Sequence, residues 1–414
     1  MGESYSCESG GVIAAGRSYD PPIWTVDTPV ANGIWTWFTD PRAVYRNGSV
    51  YIGWVNSSGT CGITKFTPAT GVSQNFSLSS IGLEVDDHNN TAVHFLPDGR
   101  VMAIYGQHND YSGLRYRISA APEDISAWGT EQIVTVTTPY TYSNPHYLSQ
   151  TGKTYFHYRS GAGGVGTNPM NVRAFDGTTW DSERAWLTET GRRPYVKSCN
   201  NGLNRIDFLI TDMHPNQGTS SVYHFYMQLD GSVEKFYKSD GTLIGTGPVT
   251  PADCTRIHNG WTLGDGWVWD IKYGLDGHPR VLFTWYPSTT DHRYMYSRWS
   301  GSAWTAPVEI TNAGTYLYSA EPNYSGGICF ESKDANRVYL SKQVGSYWEI
   351  QEFATPDSGA TWAKVSDITA GSTVRNCRPF SPRNHPYRKA VVWWSGTYTS
   401  YTSYNTSIKM ARKQ

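Results

Sequence analysis

Charge is scarce in this sequence of 414 residues, because Asp, Glu, Lys and Arg make up only 17% of it, where about a quarter is usual. The 34 basic and 35 acidic side chains nearly cancel, and no basic cluster occurs, which argues against nucleic acid and anionic membranes as partners. No apolar run of about 18 residues occurs, so no transmembrane helix is predicted. The first residues lack both the basic start and the apolar core of a signal peptide.

Aromatic residues, in contrast, are abundant. Phe, Trp and Tyr form 14% of the chain, with 29 tyrosines and 17 tryptophans, and 41 glycines and 22 prolines accompany them. Disordered chains are rich in charge and poor in aromatics, and helical bundles need much Ala, Glu, Lys and Leu, so both classes are excluded. The composition predicts an all-β protein of many short aromatic strands joined by polar turns. A sugar-binding surface is one explanation for the aromatic excess.

An internal repeat organises the chain. Seven segments share a polar start, a short alternating strand, a turn rich in Gly, Asp or Asn, and an apolar strand. They begin at Phe38, Asp86, Tyr142, Arg192, Gly266, Ser319 and Asn376. Four short strands in a unit of roughly 50 residues are typical of a propeller blade. We therefore predict a seven-bladed β-propeller in one domain, residues 1–414, whose first ~30 residues close the ring against the last blade. Two β-domains in tandem are the alternative.

Six cysteines form an even count that is compatible with disulfides. Cys254 and His258 resemble half of a metal site, although a buried thiol or half of a disulfide is the favoured explanation of the cysteine. The sequence also contains six N-x-S/T sequons, at Asn47, Asn56, Asn75, Asn89, Asn323 and Asn405. These sequons favour a secreted protein whose signal peptide has been removed, and we expect a monomer.

Blade geometry places the reactive residues. The start of a blade's first strand and the end of its second strand lie at the same mouth of the central channel, because the two strands are antiparallel. The second, third and fourth units each place two reactive side chains at these positions. The six residues are His88, His108, Tyr142, Arg159, Arg193 and His214, and Tyr140 is a rival for the place of Tyr142. Histidines, a tyrosine and two arginines at one mouth indicate a catalytic site.

Carboxylates are few in this set, whereas a glycosidase needs two facing carboxyl groups. The set is better suited to β-elimination on a uronic acid, in which an arginine neutralises the sugar carboxylate and acidifies the adjacent C5–H. A general base then removes that proton and a general acid protonates the departing O4. Tyr142 can serve as the base only if cations lower its pKa, and Arg159 with a charged histidine would supply that field.

Each residue also has a structural explanation. A histidine at a strand end is commonly a hydrogen-bonded surface residue. Tyr142 could pack in the core or stack on a sugar without taking part in catalysis. Each arginine could pair with a carboxylate across its blade. The prediction therefore rests on the joint placement of these residues and not on any one of them.

The motifs resemble those of a known family. DDHNNTAVHFLPDGRVMAIYGQH from Asp86, YSNPHYLSQTGKTYFHYR from Tyr142, RRPYVK from Arg192 and DHRYMYSRWSG from Asp291 resemble the BNR-4-type propellers of polysaccharide lyases. This group includes ulvan lyases and L-rhamnose-α-1,4-D-glucuronate lyases. The resemblance extends from about Asp86 to Gly301.

The resemblance implies the following roles. His88 and His108 match a pair of active-site histidines, and Tyr142 and Arg159 match a tyrosine followed by an arginine that neutralises the uronate. Arg193 is the candidate second arginine, with His214 and Tyr140 as further substrate-binding residues. The chemistry needs no cofactor, and a structural Ca or Zn ion, as some relatives bind, would lie at Cys254 and His258.

The implied substrate is an acidic polysaccharide containing rhamnose and glucuronate. The low Lys content, the sequons and the six cysteines are typical of a secreted eukaryotic enzyme, which favours plant arabinogalactan or gum side chains over sulfated ulvan. Two other classes stay open: a hydrolase of the sialidase or α-L-rhamnosidase type, and a propeller that only binds carbohydrate. A sialidase would need a tyrosine–glutamate pair, and the sequence offers no obvious glutamate at the mouth.

Overall fold

The computed structural model describes residues 23–79, 82–161 and 169–413. Within these residues, seven antiparallel sheets follow one another along the chain. The first strands of neighbouring blades contact one another and are innermost, and one strand from the beginning of the described chain is added at the outer edge of the seventh sheet. The first three blades contain β2 Ala43–Arg46, β3 Ser49–Val55, β4 Cys61–Thr67, β5 Val72–Ser77, β6 Ala92–Phe95, β7 Arg100–Tyr105, β8 Leu114–Pro122, β9 Gln132–Val134, β10 Tyr140–Leu148, β11 Lys153–Ser160, β12 Met170–Phe175 and β13 Arg184–Leu187. The predicted seven-bladed β-propeller is confirmed.

The fourth blade is larger than the others. Its strands are β14 Tyr195–Asn200, β15 Arg205–Thr211, β16 Val222–Asp230, β17 Val233–Lys238, β18 Leu243–Gly245 and β19 Thr255–His258. The strand β19 pairs with the first residues of β16, and β17 pairs with the residues of β16 that follow them. Helical structure is limited, among the described residues, to the 3-10 turns Asp87–Asn89 and Pro251–Asp253 and the short helix α1 Gly260–Leu263. None of these could cross a membrane.

The last blade joins the two ends of the described chain. Blades five to seven contain β20 Gly266–Tyr273, β21 Pro279–Ser288, β22 Asp291–Arg298, β23 Val308–Gly314, β24 Ile328–Glu331, β25 Asp334–Val344, β26 Tyr347–Ala354, β27 Ala363–Asp367, β28 Arg375–Phe380, β29 Lys389–Ser400 and β30 Ser403–Lys413. The strand β1 Thr25–Val30 is the outer strand of the seventh sheet and pairs with β30. Residues 1–22 of the segment expected to close the ring lie outside the described residues.

Aromatic side chains fill the channel between the blades. The segment between β1 and β2 carries Trp37, whose ring stacks on Trp269 with centroids 4.5 Å apart and meets Tyr324 edge-on at 5.1 Å. The next residue, Phe38, lies 5.3 Å from Tyr142 and 4.8 Å from Tyr195. Rings from several blades thus pack on one central segment, and this packing explains much of the aromatic excess.

Two inner strands contain the same irregularity. The register of β10 shifts between Thr141 and Asn144, and that of β28 shifts between Cys377 and Phe380. Within these bulges Tyr142 has a φ of 66° and Arg378 a φ of 52°. Bulky residues rarely adopt a positive φ, and here it accompanies a bulge that redirects each side chain. Both side chains lie against the central aromatic rings.

The cysteines do not form disulfides in the described chain. Cys61, Cys199, Cys254, Cys329 and Cys377 are all free thiols, and Cys7 lies outside the described residues. The even cysteine count therefore gives no support to disulfide formation.

Candidate active site

Two histidines and one carboxylate form a single unit at the mouth where the inner strands begin. His88 lies in the turn Asp87–Asn89 before β6, and His108 follows β7. Their rings stack with centroids 4.1 Å apart and planes inclined by 6°. Asp86 bridges them, since one carboxylate oxygen contacts Nδ1 of His88 and the other lies 3.0 Å from Nδ1 of His108.

The bridge fixes the proton positions on His108. Burial would raise the pKa of Asp86, but the two histidines hold it below its ordinary value, so the carboxylate is ionised and only accepts hydrogen bonds. Burial and the charge of His88 lower the pKa of His108 to about 3, which leaves the ring neutral. The proton therefore lies on Nδ1, and Nε2 carries the lone pair. This Nε2 is buried and has no hydrogen-bond partner among the described residues.

Tyr142 lies beside this pair, with its ring 5.7 Å from the ring of His88. The guanidinium of Arg159 lies 4.8 Å from the centre of the tyrosine ring. Burial, reinforced by Tyr195, nevertheless raises the pKa of Tyr142 well above its ordinary value, although Arg159 and Arg193 oppose the shift. Arg159 and a charged histidine were expected to lower the pKa of Tyr142 enough for it to act as the base, but burial outweighs the arginines and the pKa is raised. The phenol is neutral and suited to donate a proton.

Two buried arginines lie in the same place and form no ion pair with a carboxylate of the described residues. Arg159 donates hydrogen bonds to the Tyr195 hydroxyl at 3.2 Å, to Asn109 Oδ1 at 3.0 Å and to the Thr141 hydroxyl at 3.1 Å. Arg193 lies 5.7 Å from the Tyr195 ring and makes no hydrogen bond or ion pair with any described residue. A buried charge without a partner is costly, so this pair of cations is suited to bind an anion.

The other two expected substrate-binding residues differ in their placement. His214, after β15, packs 4.6 Å from Trp267 and 5.4 Å from Tyr195. Burial and the nearby arginines lower its pKa to about 3. Tyr140 is not part of the group, because its ring packs 5.4 Å from Tyr158 in the core between blades two and three. Its hydroxyl is bonded to Ser143.

The chain matches a known protein family. A model described as BNR_4, "BNR repeat-containing family member", matches residues 49–310. The chain belongs to this BNR repeat-containing family. No curated protein sequence matches it. The expected resemblance to BNR-4-type propellers is confirmed.

Solved structures show the same fold in other proteins. Two structures of an ulvan lyase described as a "new family of Polysaccharide lyase PL25", one bound to -[GlcA(1-4)Rha3S]-, superpose with a TM-score of 0.72 at 14% identity. The alignment covers 93% of this BNR repeat-containing chain and 94% of the lyase. A puromycin hydrolase matches with a TM-score of 0.51 at 12% identity, over 92% of this chain and 55% of that one. At these identities the likeness concerns the fold alone.

Sequence reasoning missed three side chains of the site in this BNR repeat-containing protein. Tyr195 bonds to Arg159 from the start of β14, Glu321 precedes β24, and Tyr401 lies in the hairpin between β29 and β30. The ring of Tyr401 meets that of His88 edge-on at 5.2 Å. Blade geometry predicts these positions when the start of the first strand and the end of the second strand are considered in every unit. Tyr195 follows Arg193 by two residues, on the same side of an extended chain.

Glu321 is the carboxylate to consider next to the arginines. Its Oε2 lies 3.7 Å from Nε2 of His214 and accepts a hydrogen bond from Asn216 at 3.2 Å. Burial raises the pKa of Glu321, although Asn216, His88 and Arg193 oppose the shift. The mouth thus holds a carboxyl group that could carry a proton, which the sequence did not suggest.

The metal site expected at Cys254 and His258 does not fit the structure. The Cys254 thiol donates to the Thr250 carbonyl at 3.3 Å, and His258 Nε2 is bonded to the Gly264 carbonyl at 2.7 Å. Burial raises the pKa of the Cys254 thiol, whereas a metal ligand must be a thiolate. Among the described residues, the group of three potential ligands with atoms within 4.8 Å of one another is Asp86, His88 and His108.

Proposed function

We propose that this protein is a polysaccharide lyase that cleaves α-L-rhamnosyl-(1→4)-D-glucuronic acid linkages by β-elimination. The observation that carries the proposal is the pair of buried guanidinium groups, Arg159 and Arg193, that lack a carboxylate partner among the described residues. A uronate carboxylate would supply the missing counter-charge. Its negative charge increases as C5 is deprotonated, so the same two cations stabilise the transition state more than the ground state.

The hydrogen bonds and the protonation states at neutral pH assign the base and the acid. His108 presents a lone pair on Nε2 because Asp86 holds the Nδ1 proton, so His108 removes the proton from C5. The electron pair of the C5–H bond forms the C4–C5 double bond, and the C4–O4 bond breaks. Tyr142, a neutral phenol, donates its proton to the departing O4 of the rhamnosyl group. Proton return from His108 to Tyr142, directly or through solvent, completes the cycle.

The reaction needs no added cofactor in this scheme. We favour arabinogalactan or gum side chains as the substrate and keep the sulfated rhamnose–glucuronate polymer ulvan as the alternative, since the similar ulvan lyase structure contains -[GlcA(1-4)Rha3S]-. Secretion and a monomeric state belong to the same proposal. Exposed sequons at Asn47, Asn75 and Asn405 support secretion, whereas those at Asn89 and Asn323 are buried.

The direct test is the ultraviolet absorbance of the unsaturated uronate formed from gum arabic or ulvan. We expect an increase with one of the two polymers. Absence of an unsaturated product with both would overturn the proposal. Product analysis by mass distinguishes the lyase from a hydrolase, because hydrolysis adds one water and leaves a saturated glucuronate.

Glu321 supports one second candidate, a retaining or inverting glycosidase. Such an enzyme needs a protonated carboxyl group, and burial raises the pKa of Glu321. A glycosidase also needs a second carboxylate. Asp86 and Asp87 do not suit this role, because two histidines bind Asp86 and Arg378 binds Asp87. Release of free rhamnose beside saturated glucuronate would favour this hydrolase.

A further inference from the structure

The fourth blade carries an insertion at the mouth that holds the candidate active site. In the described residues, β18, β19 and the helix α1 lie between the outer strand β17 of this blade and the inner strand β20 of the next. The strand β19 pairs with the first residues of β16, with Val222 opposite His258. This pairing brings α1 to the end of the blade where β15 ends and β20 begins.

Several hydrogen bonds fix the tip of the insertion. The Gly260 amide donates to the Ser221 hydroxyl at 2.9 Å, and the Gly266 amide donates to the Ser220 carbonyl at 2.9 Å. A Cβ atom added to Gly260 would lie 2.2 Å from the Ser220 carbonyl oxygen, so only glycine allows this close approach. The Asn259 side chain accepts from the Trp261 amide at 3.2 Å. The tip is therefore held in one position.

This rigid tip presents an exposed tryptophan. The side chain of Trp261 is 67% exposed, and Leu263 beside it is 55% exposed. Among the described residues, Trp261 is the one tryptophan in the group of exposed large hydrophobic side chains. Folding gains little from a ring left in water, so the hydrogen bonds that fix α1 serve a surface and not the core.

Trp261 contacts Arg192, which is the chain neighbour of Arg193, the arginine proposed to bind the uronate. The guanidinium of Arg192 lies 5.8 Å from the centre of the Trp261 ring and 3.0 Å from the Asp212 carboxylate. Arg193, the next residue, turns towards Tyr195 instead. Adjacent residues of an extended chain point to opposite sides, so Arg192 and Arg193 connect the exposed ring with the buried site.

We propose that Trp261 is a stacking platform for a further pyranose residue of the polysaccharide whose uronate binds at Arg159 and Arg193. The C–H groups of one sugar face lie against the negative face of the indole ring. Arg192 adds hydrogen-bond donors for sugar hydroxyl or carboxylate groups at the edge of the platform. The inference rests on the proposed function and extends the site beyond the cleaved linkage.

The test compares Trp261→Ala and Trp261→Phe with the wild-type protein. Leu275→Ala is the matched control, because Leu275 is fully exposed in the β20–β21 turn at the opposite mouth. Initial rates of elimination are measured on the long polymer and on the shortest oligosaccharide that is cleaved. Affinity electrophoresis through gels containing the same polymer measures binding without turnover.

For Trp261→Ala we expect KM for the polymer to rise about tenfold, as for the loss of an aromatic binding contact. The change with the shortest oligosaccharide should be much smaller. Trp261→Phe should recover part of the difference, and Leu275→Ala should behave like wild type. Equal kinetics of Trp261→Ala and wild type on the polymer would overturn the platform while leaving the lyase proposal intact.

A wild-type protein without lyase activity would overturn the proposed function and not, by itself, the platform. Electrophoresis then decides: weaker retardation of Trp261→Ala than of wild type would support the platform. Equal retardation, or no retardation of either protein, would overturn it.

Discussion

Arg378 and Arg193 are both buried guanidinium groups near the axis of the propeller, but their surroundings are opposite. Arg378 donates to the Asp87 carboxylate at 2.6 Å, to the Trp35 carbonyl at 2.8 Å and to the Tyr398 hydroxyl at 2.9 Å. Arg193 has no hydrogen-bond or ion-pair partner among the described residues. Arg378 is thus paired directly with a carboxylate, whereas Arg193 forms no ion pair in the described part of the chain.

The difference separates stability from binding. The Arg378–Asp87 pair joins the seventh blade to the turn that carries His88, so it stabilises the ring and positions the histidine pair. An unpaired buried cation contributes no such link and instead destabilises the free protein. A protein retains such a group when a ligand completes it, so the contrast can be tested at each arginine separately.

The largest effect is expected at the paired arginine. Arg378→Met would leave the charge of Asp87 buried without its partner and lower the free energy of unfolding by about 3–5 kcal/mol. Urea denaturation followed by tryptophan fluorescence measures the change. The double variant Arg378→Met with Asp87→Asn should recover part of the stability, since it removes both charges. No recovery would show that the loss comes from packing alone.

The unpaired arginine should behave in the opposite way. Arg193→Met removes a buried charge that has no partner, so the free energy of unfolding should stay the same or increase. We expect kcat/KM for the polymer to fall by about 10²–10³-fold, as for the loss of one electrostatic donor. Both quantities are measured on one preparation. Destabilisation comparable with that of Arg378→Met would contradict the distinction.

The carboxylate that bridges the histidines should affect kcat more than KM. Asp86→Asn keeps the shape but replaces one acceptor oxygen by a donor, so at least one histidine must change its tautomer. If the bridge orients the base, kcat falls by about 10²-fold. Steady-state kinetics, with circular dichroism as the control for folding, tests this. A change confined to KM would place Asp86 in binding only.

Acid should lower the free energy of unfolding through His214, which lies at the same mouth as Arg159 and Arg193. The pKa of His214 is lowered to about 3 in the folded protein, while an unfolded histidine has a pKa of about 6.5. The unfolded state therefore binds more protons between these values, so stability is lost as pH falls below about 6.5. His214→Gln should show a smaller decrease in Tm between neutral and acidic pH than wild type does. An identical decrease would contradict this contribution.

The smallest effect is expected at Glu321. In the lyase scheme this carboxyl group neither removes nor donates the transferred proton, so Glu321→Gln should change kcat by less than about tenfold. A hydrolase that uses Glu321 as its acid would lose most activity. The rate of unsaturated uronate formation measures the change for a lyase, and the rate of free rhamnose release measures it for a hydrolase.

Much of the architecture could be predicted from the sequence, because blade repeats are visible as repeated strand and turn patterns. The antiparallel strands of a blade also predict that residues of three blades share one mouth, and the structure places His88, Arg159 and Arg193 there. The positive φ of Tyr142 could not be predicted from the repeat, because tyrosine disfavours this conformation. It is supported by the bulge in β10 and by the packing of the aromatic rings. The spacing of Cys254 and His258 resembles that of metal ligands. Their hydrogen bonds to backbone carbonyl groups, which replace a metal in the structure, cannot be recognised in a sequence.

Blade seven has a consequence for the order of folding. Thr25 pairs with Arg412, so this sheet unites a strand made before blade one with a strand made after blade six. The ring cannot be completed before β30 has been synthesised, although blades one to six can form earlier because their strands are consecutive. Until then β1 lacks its partner strand and exposes unpaired backbone groups, which can pair with another chain. Ring closure is thus the step that gives β1 its partner strand.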